Sequence, residues 1–398
     1  MRPRSRGTAA CRRAPHSSVR SAQIAPVRLV RCGLGATLGV LAALLVSGCA
    51  LLAAPQGPPA ASESARRLAP GPYDVASADV DLEDESRGRT LATTVWWPEG
   101  LASPAPLVVQ AHGFLASRTG ARYVARHLAS HGWVVVAATH PTTTLFAPGG
   151  AKLEDVVRQP DDVRFLVDRA LADDRGLPPL PPIDPARIAV MGHSLGGLTA
   201  TLAAFHPRLR DPRIAAAISI AGPLEPLEPR FFRTARVPFL VIAGSEDVIV
   251  DWRANAFVTL DRVPGGTLVL LAGASHTGFD DTMSGLPRVL DNPDTLGCWM
   301  LRRTLDLDVA LERLRAQSSA EDGIDFAHGM ARPCVAHPAA VAMDPVRQQM
   351  ITTLAVRAFL EQRLAPEAAA RAEAARYLTE GLPHDFAEVS VSTAYAPP

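Results

Sequence analysis

Ala189-Val190-Met191-Gly192-His193-Ser194-Leu195-Gly196-Gly197 is the stretch on which the fold reading turns. The apolar run Ile188 to Met191 reads as a buried strand, and Leu198 to Phe205 carries an Ala/Thr/Leu-rich helix pattern. Between them stands Gly-x-Ser-x-Gly, in the strand–turn–helix context that a nucleophile elbow requires. Glycines flank Ser194 at two positions' distance because side chains there would collide with the neighbouring strand and helix, and because glycine tolerates strained backbone angles. Such a turn presents the Ser194 hydroxyl at the carboxyl edge of a sheet, over a helix N-terminus whose dipole favours developing negative charge.

Outward from this point, apolar runs and helical patterns alternate. Val75 to Glu83 and Leu91 to Trp97 read as an opening antiparallel pair around the turn Asp84 to Arg89. Leu107 to Ala111, Trp133 to Ala138, Ile214 to Ile220, Phe239 to Ala243 and Leu268 to Leu271 follow as short buried strands. Helices are expected after His112-Gly113-Phe114 and near Asp161 to Leu171. This alternation predicts an α/β fold, a mostly parallel central sheet with helices on both faces. A last amphipathic helix, with Val346, Met350, Ile351, Leu354 and Ala358 at helical spacing, is expected to close the sheet.

A serine hydroxyl needs a neutral imidazole to take its proton, and the imidazole needs a carboxylate to fix its tautomer. In this fold the order is Ser, acid, His, each on a loop after a strand. Asp247 follows the strand Phe239 to Ala243, with Glu246 and Asp251 as rival carboxylates. His276 follows Leu268 to Leu271 and is the only histidine between Pro207 and Phe326. The oxyanion donors expected are the N–H of Leu195, directly after the nucleophile, and that of Phe114 in the loop after Ala111. His112 is read as positioning that loop, and His193 as lying beneath the elbow.

Thr94 to Pro98, Gln110 to Phe114, His127 to Gly132, Gly192 to Gly197, Gly244 to Asp247 and Gly273 to His276 together resemble the α/β-hydrolase superfamily. More narrowly, residues 73 to about 280 resemble the bacterial dienelactone hydrolase-like group, related to platelet-activating-factor acetylhydrolases and to bacterial cutinases and polyester hydrolases. The resemblance implies an α/β-hydrolase fold, Ser194, Asp247 and His276 as catalytic residues, and Phe114 and Leu195 as oxyanion donors. True dienelactone hydrolases use a cysteine nucleophile, so position 194 departs from them. The cutinase-like enzymes also lack a counterpart to residues 280–344, an insertion read either as a lid or as a remote surface elaboration. Leu145, Phe146 and Phe279 fall on catalytic-face loops and are candidate pocket residues.

The 398 residues carry 40 basic and 40 acidic side chains, which gives no reason to expect a nucleic-acid partner. No metal-ligand spacing or phosphate-binding loop stands out, so no cofactor is expected. Eight arginines and no acid occupy residues 1–32, ahead of the apolar stretch Gly33 to Val46. That pattern reads as a secretory leader. It ends in Val46-Ser47-Gly48-Cys49, which resembles the lipobox of bacterial lipoproteins and implies a lipid anchor on Cys49, with an ordinary signal peptide or a tethering helix as the alternative. Residues 50–72, rich in Ala, Pro and Ser, are expected to form a flexible tether, and 73–398 the hydrolase domain. Cys298 and Cys334 are expected to pair, or else to remain as buried thiols, in a compartment that permits disulfides. The reading is an extracytoplasmic, membrane-tethered serine esterase acting on small-molecule or lipid esters, with a phospholipid-type acetylhydrolase or polyester hydrolase as runner-up. The alternative of another class is a non-catalytic surface lipoprotein that uses the fold for binding.

Overall fold

The computed structural model describes residues 56–172, 176–285, 289–326, 331–335 and 338–395. Among the described residues, nine strands form one sheet in the order β1-β2-β4-β3-β5-β6-β7-β8-β9. β1 (Val75–Asp84) and β2 (Arg89–Pro98) are the expected antiparallel pair, and β2 lies antiparallel to β4 (Val134–Thr139). β4, β3 (Ala105–Ala111), β5 (Ile183–His193), β6 (Ile214–Ile220), β7 (Phe239–Gly244) and β8 (Thr267–Leu271) then run parallel.

A strand covered on both faces sends alternate side chains into two cores, which is why these strands read as continuous apolar runs. In β3, Leu107 and Val109 enter one core, shared with Leu166 of the helix Gln159–Leu171 and Ala203 of the helix Leu195–Phe205. Val108 enters the other, shared with Leu128 of the helix Arg122–Ser130 and Leu354 of the helix Pro345–Leu364. The result is a helix–sheet–helix sandwich, an α/β-hydrolase arrangement.

Two expectations change. The late helix Pro345–Leu364 covers a face of the sheet, and the edge beside β8 is closed instead by a strand, β9 (Val389–Thr393), paired antiparallel to it. The helix is buried around most of its circumference because the helices Ala368–Arg376 and Glu63–Leu68 pack on its outer side. A one-sided amphipathic stripe therefore understated its burial.

Part of the stretch 50–72, expected to be a flexible tether, is a helix packed on the domain. Ser62 caps the helix Glu63–Leu68 by accepting from the Ala65 N–H at 3.0 Å. From this helix Arg67, its side chain 10% exposed, reaches Glu361 at 2.7 Å and Glu63 at 3.1 Å while lying over the Tyr377 ring. The Ser64 hydroxyl shares a 2.8 Å hydrogen bond with the Tyr377 hydroxyl. Six residues of helix inside a Pro/Ala/Ser-rich stretch leave no periodic signal. Long-range ion pairs hold it in place. Cys49 and the apolar stretch before it lie outside the described residues; among the described residues no helix is long and apolar enough to cross a membrane.

Replacing Arg67 with Met leaves Glu361 and Glu63 without their shared partner and is expected to cost about 1–3 kcal/mol, a partly solvated version of a broken buried pair. Urea unfolding measures this. A change within about 0.5 kcal/mol, ordinary for a surface site, would mean that the helix is not held by its charges.

Candidate active site

β5 ends at His193 and the next helix starts at Leu195, so Ser194 alone makes the turn, at φ 56° and ψ −122°. A non-glycine residue held there stores roughly 1–3 kcal/mol of backbone strain. The flanking glycines serve a different need. A Cβ on Gly192 would lie 2.1 Å from the Gly196 carbonyl oxygen, and one on Gly196 2.2 Å from that of Ala111. They permit close approach of strand and helix, while the strained angle falls on Ser194 itself. The Ser194 N–H donates to the Ile220 carbonyl of β6 at 2.8 Å, which ties the turn to the sheet.

The loops after β7 and β8 bring Asp247 and His276 to the same rim. His276 Nδ1 donates to Asp247 Oδ2 at 2.7 Å, leaving Nε2 to accept from the Ser194 hydroxyl at 2.8 Å. Asp247 Oδ1 accepts from the N–H groups of Ile249 (2.9 Å) and Val250 (2.7 Å). The rival carboxylates are engaged elsewhere: Asp251 caps the short helix Trp252–Asn255, and Glu246 accepts from the Ser245 hydroxyl. Burial works against a charged imidazole at position 276. Asp247, with Asp294 and Asp280 behind it, overrides this and holds the His276 pKa above its ordinary value.

Asp294 is the residue that sequence reasoning missed. Fully buried in the first turn of the helix Asp294–Thr304, it accepts from the His276 N–H (3.0 Å) and Val248 N–H (3.2 Å) through one oxygen. Through the other it accepts from the N–H and hydroxyl of Thr277 at 2.7 and 2.8 Å. One carboxylate thus joins the acid loop to the histidine loop. Gln348, from the face-covering helix, clamps the same loop by accepting from the Ser275 N–H and donating to the Ser275 carbonyl. Asn292-Pro293-Asp294 marks a helix start, but no local cue says what that carboxylate faces.

Gly113 lies against Ser194: a Cβ there would stand 3.1 Å from the Ser194 Cβ. This brings Phe114 to the serine, as expected of an oxyanion loop, while Leu195 heads the helix on the other side, where the first N–H groups have no intrahelical partner. His112 holds the loop from behind, donating from Nδ1 to the Gly113 carbonyl (2.7 Å) and accepting at Nε2 from the His140 N–H (2.8 Å). Burial, with His140 nearby, pushes its pKa down to about 3, so it is neutral. His193 donates from Nε2 to the His276 carbonyl at 3.0 Å, and its ring packs beside that imidazole.

Ser194 opens onto two cavities. One of about 450 Å³ runs beneath residues of the 280–344 insertion, including Leu301 and Leu311. The other, about 330 Å³, is lined by Leu145, Phe146, His276 and Met300. Part of the insertion is therefore a wall of the site, not a remote elaboration. Cys298 and Cys334 are joined by a disulfide within it. Phe279 is corrected from pocket to core: the turn Thr277–Phe279 points it inward, fully buried and 5.9 Å from the His193 ring. Among the described residues, no three His, Cys, Asp or Glu side chains gather as metal ligands.

A family model described as PET hydrolase-like matches residues 52–315. Bis(hydroxyethyl) terephthalate hydrolase of Streptomyces coelicolor is 29% identical over 264 residues, which cover 64% of this chain and 78% of that protein. Cutinase est2 of Thermobifida alba is 30% identical over 172 residues, 41% of this chain and 50% of that one. The solved structure of a ferulic acid esterase from Streptomyces cinnamoneus shares the fold, with a TM-score of 0.50 at 20% identity over 76% of this chain and 96% of its own.

Because Asp294 supplies negative charge next to the imidazole, Asp294→Asn is expected to lower the pH at which His276 gains its proton. Imidazole resonances followed by NMR through a pH titration measure the shift. A midpoint that stays put or rises contradicts the electrostatic role given to Asp294.

Proposed function

The chain belongs to the PET hydrolase-like family and is a carboxylic ester hydrolase; from that premise we propose that Ser194, His276 and Asp247 form its catalytic triad and that it works through an acyl-enzyme. The observation that carries this reading is the hydrogen-bonded chain from Ser194 through His276 to Asp247, at 2.8 and 2.7 Å. As the Ser194 Oγ bonds to the ester carbonyl carbon, its proton passes to His276 Nε2. The carbonyl oxygen takes the negative charge, facing the N–H groups of Leu195 and Phe114 and the positive end of the elbow helix. The carbon–oxygen bond to the alcohol then breaks, and the leaving oxygen takes the proton from His276. Water repeats the sequence: it gives a proton to His276, attacks the acyl carbon and releases the acid, and Ser194 recovers its proton. Asp247 stays ionised throughout, holding the proton on Nδ1 and stabilising the imidazolium.

A polyester-type substrate is the second reading. The name of the Streptomyces coelicolor relative favours it, and turnover of bis(hydroxyethyl) terephthalate by the purified chain tests it. The family match and the hydrogen-bonded chain weigh against the non-catalytic binding module.

We also propose that the chain is lipid-anchored through Cys49 and works outside the cytoplasm, supported by the basic leader, the apolar stretch and Val46-Ser47-Gly48-Cys49. Metabolic labelling with a fatty-acid analogue is expected to mark the wild type and not Cys49→Ala. Equal labelling of both, or of neither, rules the anchor out.

A fluorophosphonate is expected to modify Ser194 and to leave Ser194→Ala unmodified, as read by peptide mass spectrometry. His276→Ala is expected to lower kcat/KM for p-nitrophenyl acetate by about 10³-fold or more. A labelled residue other than Ser194, or near-normal turnover without His276, contradicts the mechanism.

A further inference from the structure

Two cavities meet at one serine, and the chemistry of the leaving group tells them apart. His276 must return its proton to the departing alcohol, so the alcohol lies on the imidazole's side of Ser194. His276 and Thr277 line the 330 Å³ cleft and do not line the 450 Å³ cavity. Phe114, Ser194, Ile249 and Leu301 border both and mark the junction. We propose that the 450 Å³ cavity receives the acyl half of the ester, and that the substrates are esters of medium- to long-chain aliphatic acids. This rests on the hydrolase reading above and adds the substrate class.

The shape of the larger cavity supports an extended chain. Leu195, Leu198, Leu202 and His206 recur at three- and four-residue steps, so one face of the elbow helix forms its floor. The helix carries that floor for about 15 Å away from Ser194, at 1.5 Å per residue. Opposite stand Leu301, Leu311, Leu314 and Ile324, all from the insertion. Two of the polar lining residues, His206 and Arg208, follow the end of the helix and so lie far from the reacting carbon.

Chemical character points the same way. The walls are chiefly branched aliphatic side chains, and among the described lining residues only Phe114, His206 and Phe326 carry aromatic rings. A flat acyl group gains most from rings set to stack on it, whereas a flexible alkyl chain gains with each methylene removed from water. Insertion residues supply the outer wall. The disulfide between Cys298 and Cys334 ties the helix that carries Leu301 to the segment that brings Pro333 to the same cavity. The insertion thereby acts as a built acyl-binding wall.

The test measures kcat/KM for p-nitrophenyl esters from acetate to palmitate, each below the concentration at which it aggregates, with one leaving group throughout. The value is expected to rise by about tenfold or more between acetate and decanoate as methylenes enter the cavity. Leu311→Trp and Leu314→Trp, made separately and checked for folding by circular dichroism, narrow the cavity away from Ser194. Each is expected to lower the decanoate-to-acetate ratio by about tenfold. A wild-type optimum at acetate, or a ratio that neither substitution moves, overturns the acyl assignment. In that case fluorophosphonate labelling at Ser194 still supports the hydrolase reading, whereas absence of that label overturns both.

Discussion

Close backbone approach at one turn is the constraint on which the rest of the molecule depends. β5 must deliver Ser194 directly into a helix, with the helix backbone pressed against β5 and β3. Only hydrogen atoms fit at positions 192 and 196, where any larger substituent would meet a carbonyl oxygen at little more than 2 Å. Once that contact is made, Ser194 has no choice but a positive φ, and the hydrogen bond from its N–H to β6 holds it there. The strain is local and the sheet bears it. In return the hydroxyl stands clear of its own backbone at a helix N-terminus, where an oxyanion is favoured.

Around that turn the structure uses buried carboxylates as braces. Asp247, Asp294 and Asp162 are each almost fully buried, and each accepts several hydrogen bonds, as a buried charge must. Asp247 orients the imidazole. Asp294 fastens the two loops that carry Asp247 and His276, and Asp162 sits behind the loop that carries Phe114, held by Arg87, Arg89 and His140. Positioning and electrostatics coincide here. The carboxylate that fixes the loop also raises the basicity of the imidazole on it. Fold stability and proton affinity at this site are therefore coupled through the same residues.

The insertion changes the character of the site more than its chemistry. Without residues 280–344 the elbow helix would present Leu198 and Leu202 on an open shelf, and Asp294 would be missing from between the loops. With them, a shelf becomes a cavity and two loops become one unit. The disulfide ties two segments of this added layer to each other, while Asp294 and ion pairs such as Arg313–Glu154 and Arg122–Asp281 fasten it to the rest of the domain.

Much of this was legible in the residues. The glycines around Ser194, the alternation of buried strands, and the order Ser194, Asp247, His276 after successive strands depend on local backbone demands, which a sequence states directly. The sequence also pointed to the cysteine pair. What it did not state depends on contacts between distant segments. Phe279 stands three residues after His276 in the chain, yet a single tight turn sends its ring into the core. The helix Glu63–Leu68 has too few residues to show a period, and ion pairs with residues almost three hundred positions away hold it. Asp294 reads as an ordinary helix-start acid until the fold brings His276 and Val248 to it. Local geometry is written in neighbouring residues. The identity of a buried charge's partner, or of a cavity's far wall, exists only once the chain has closed upon itself.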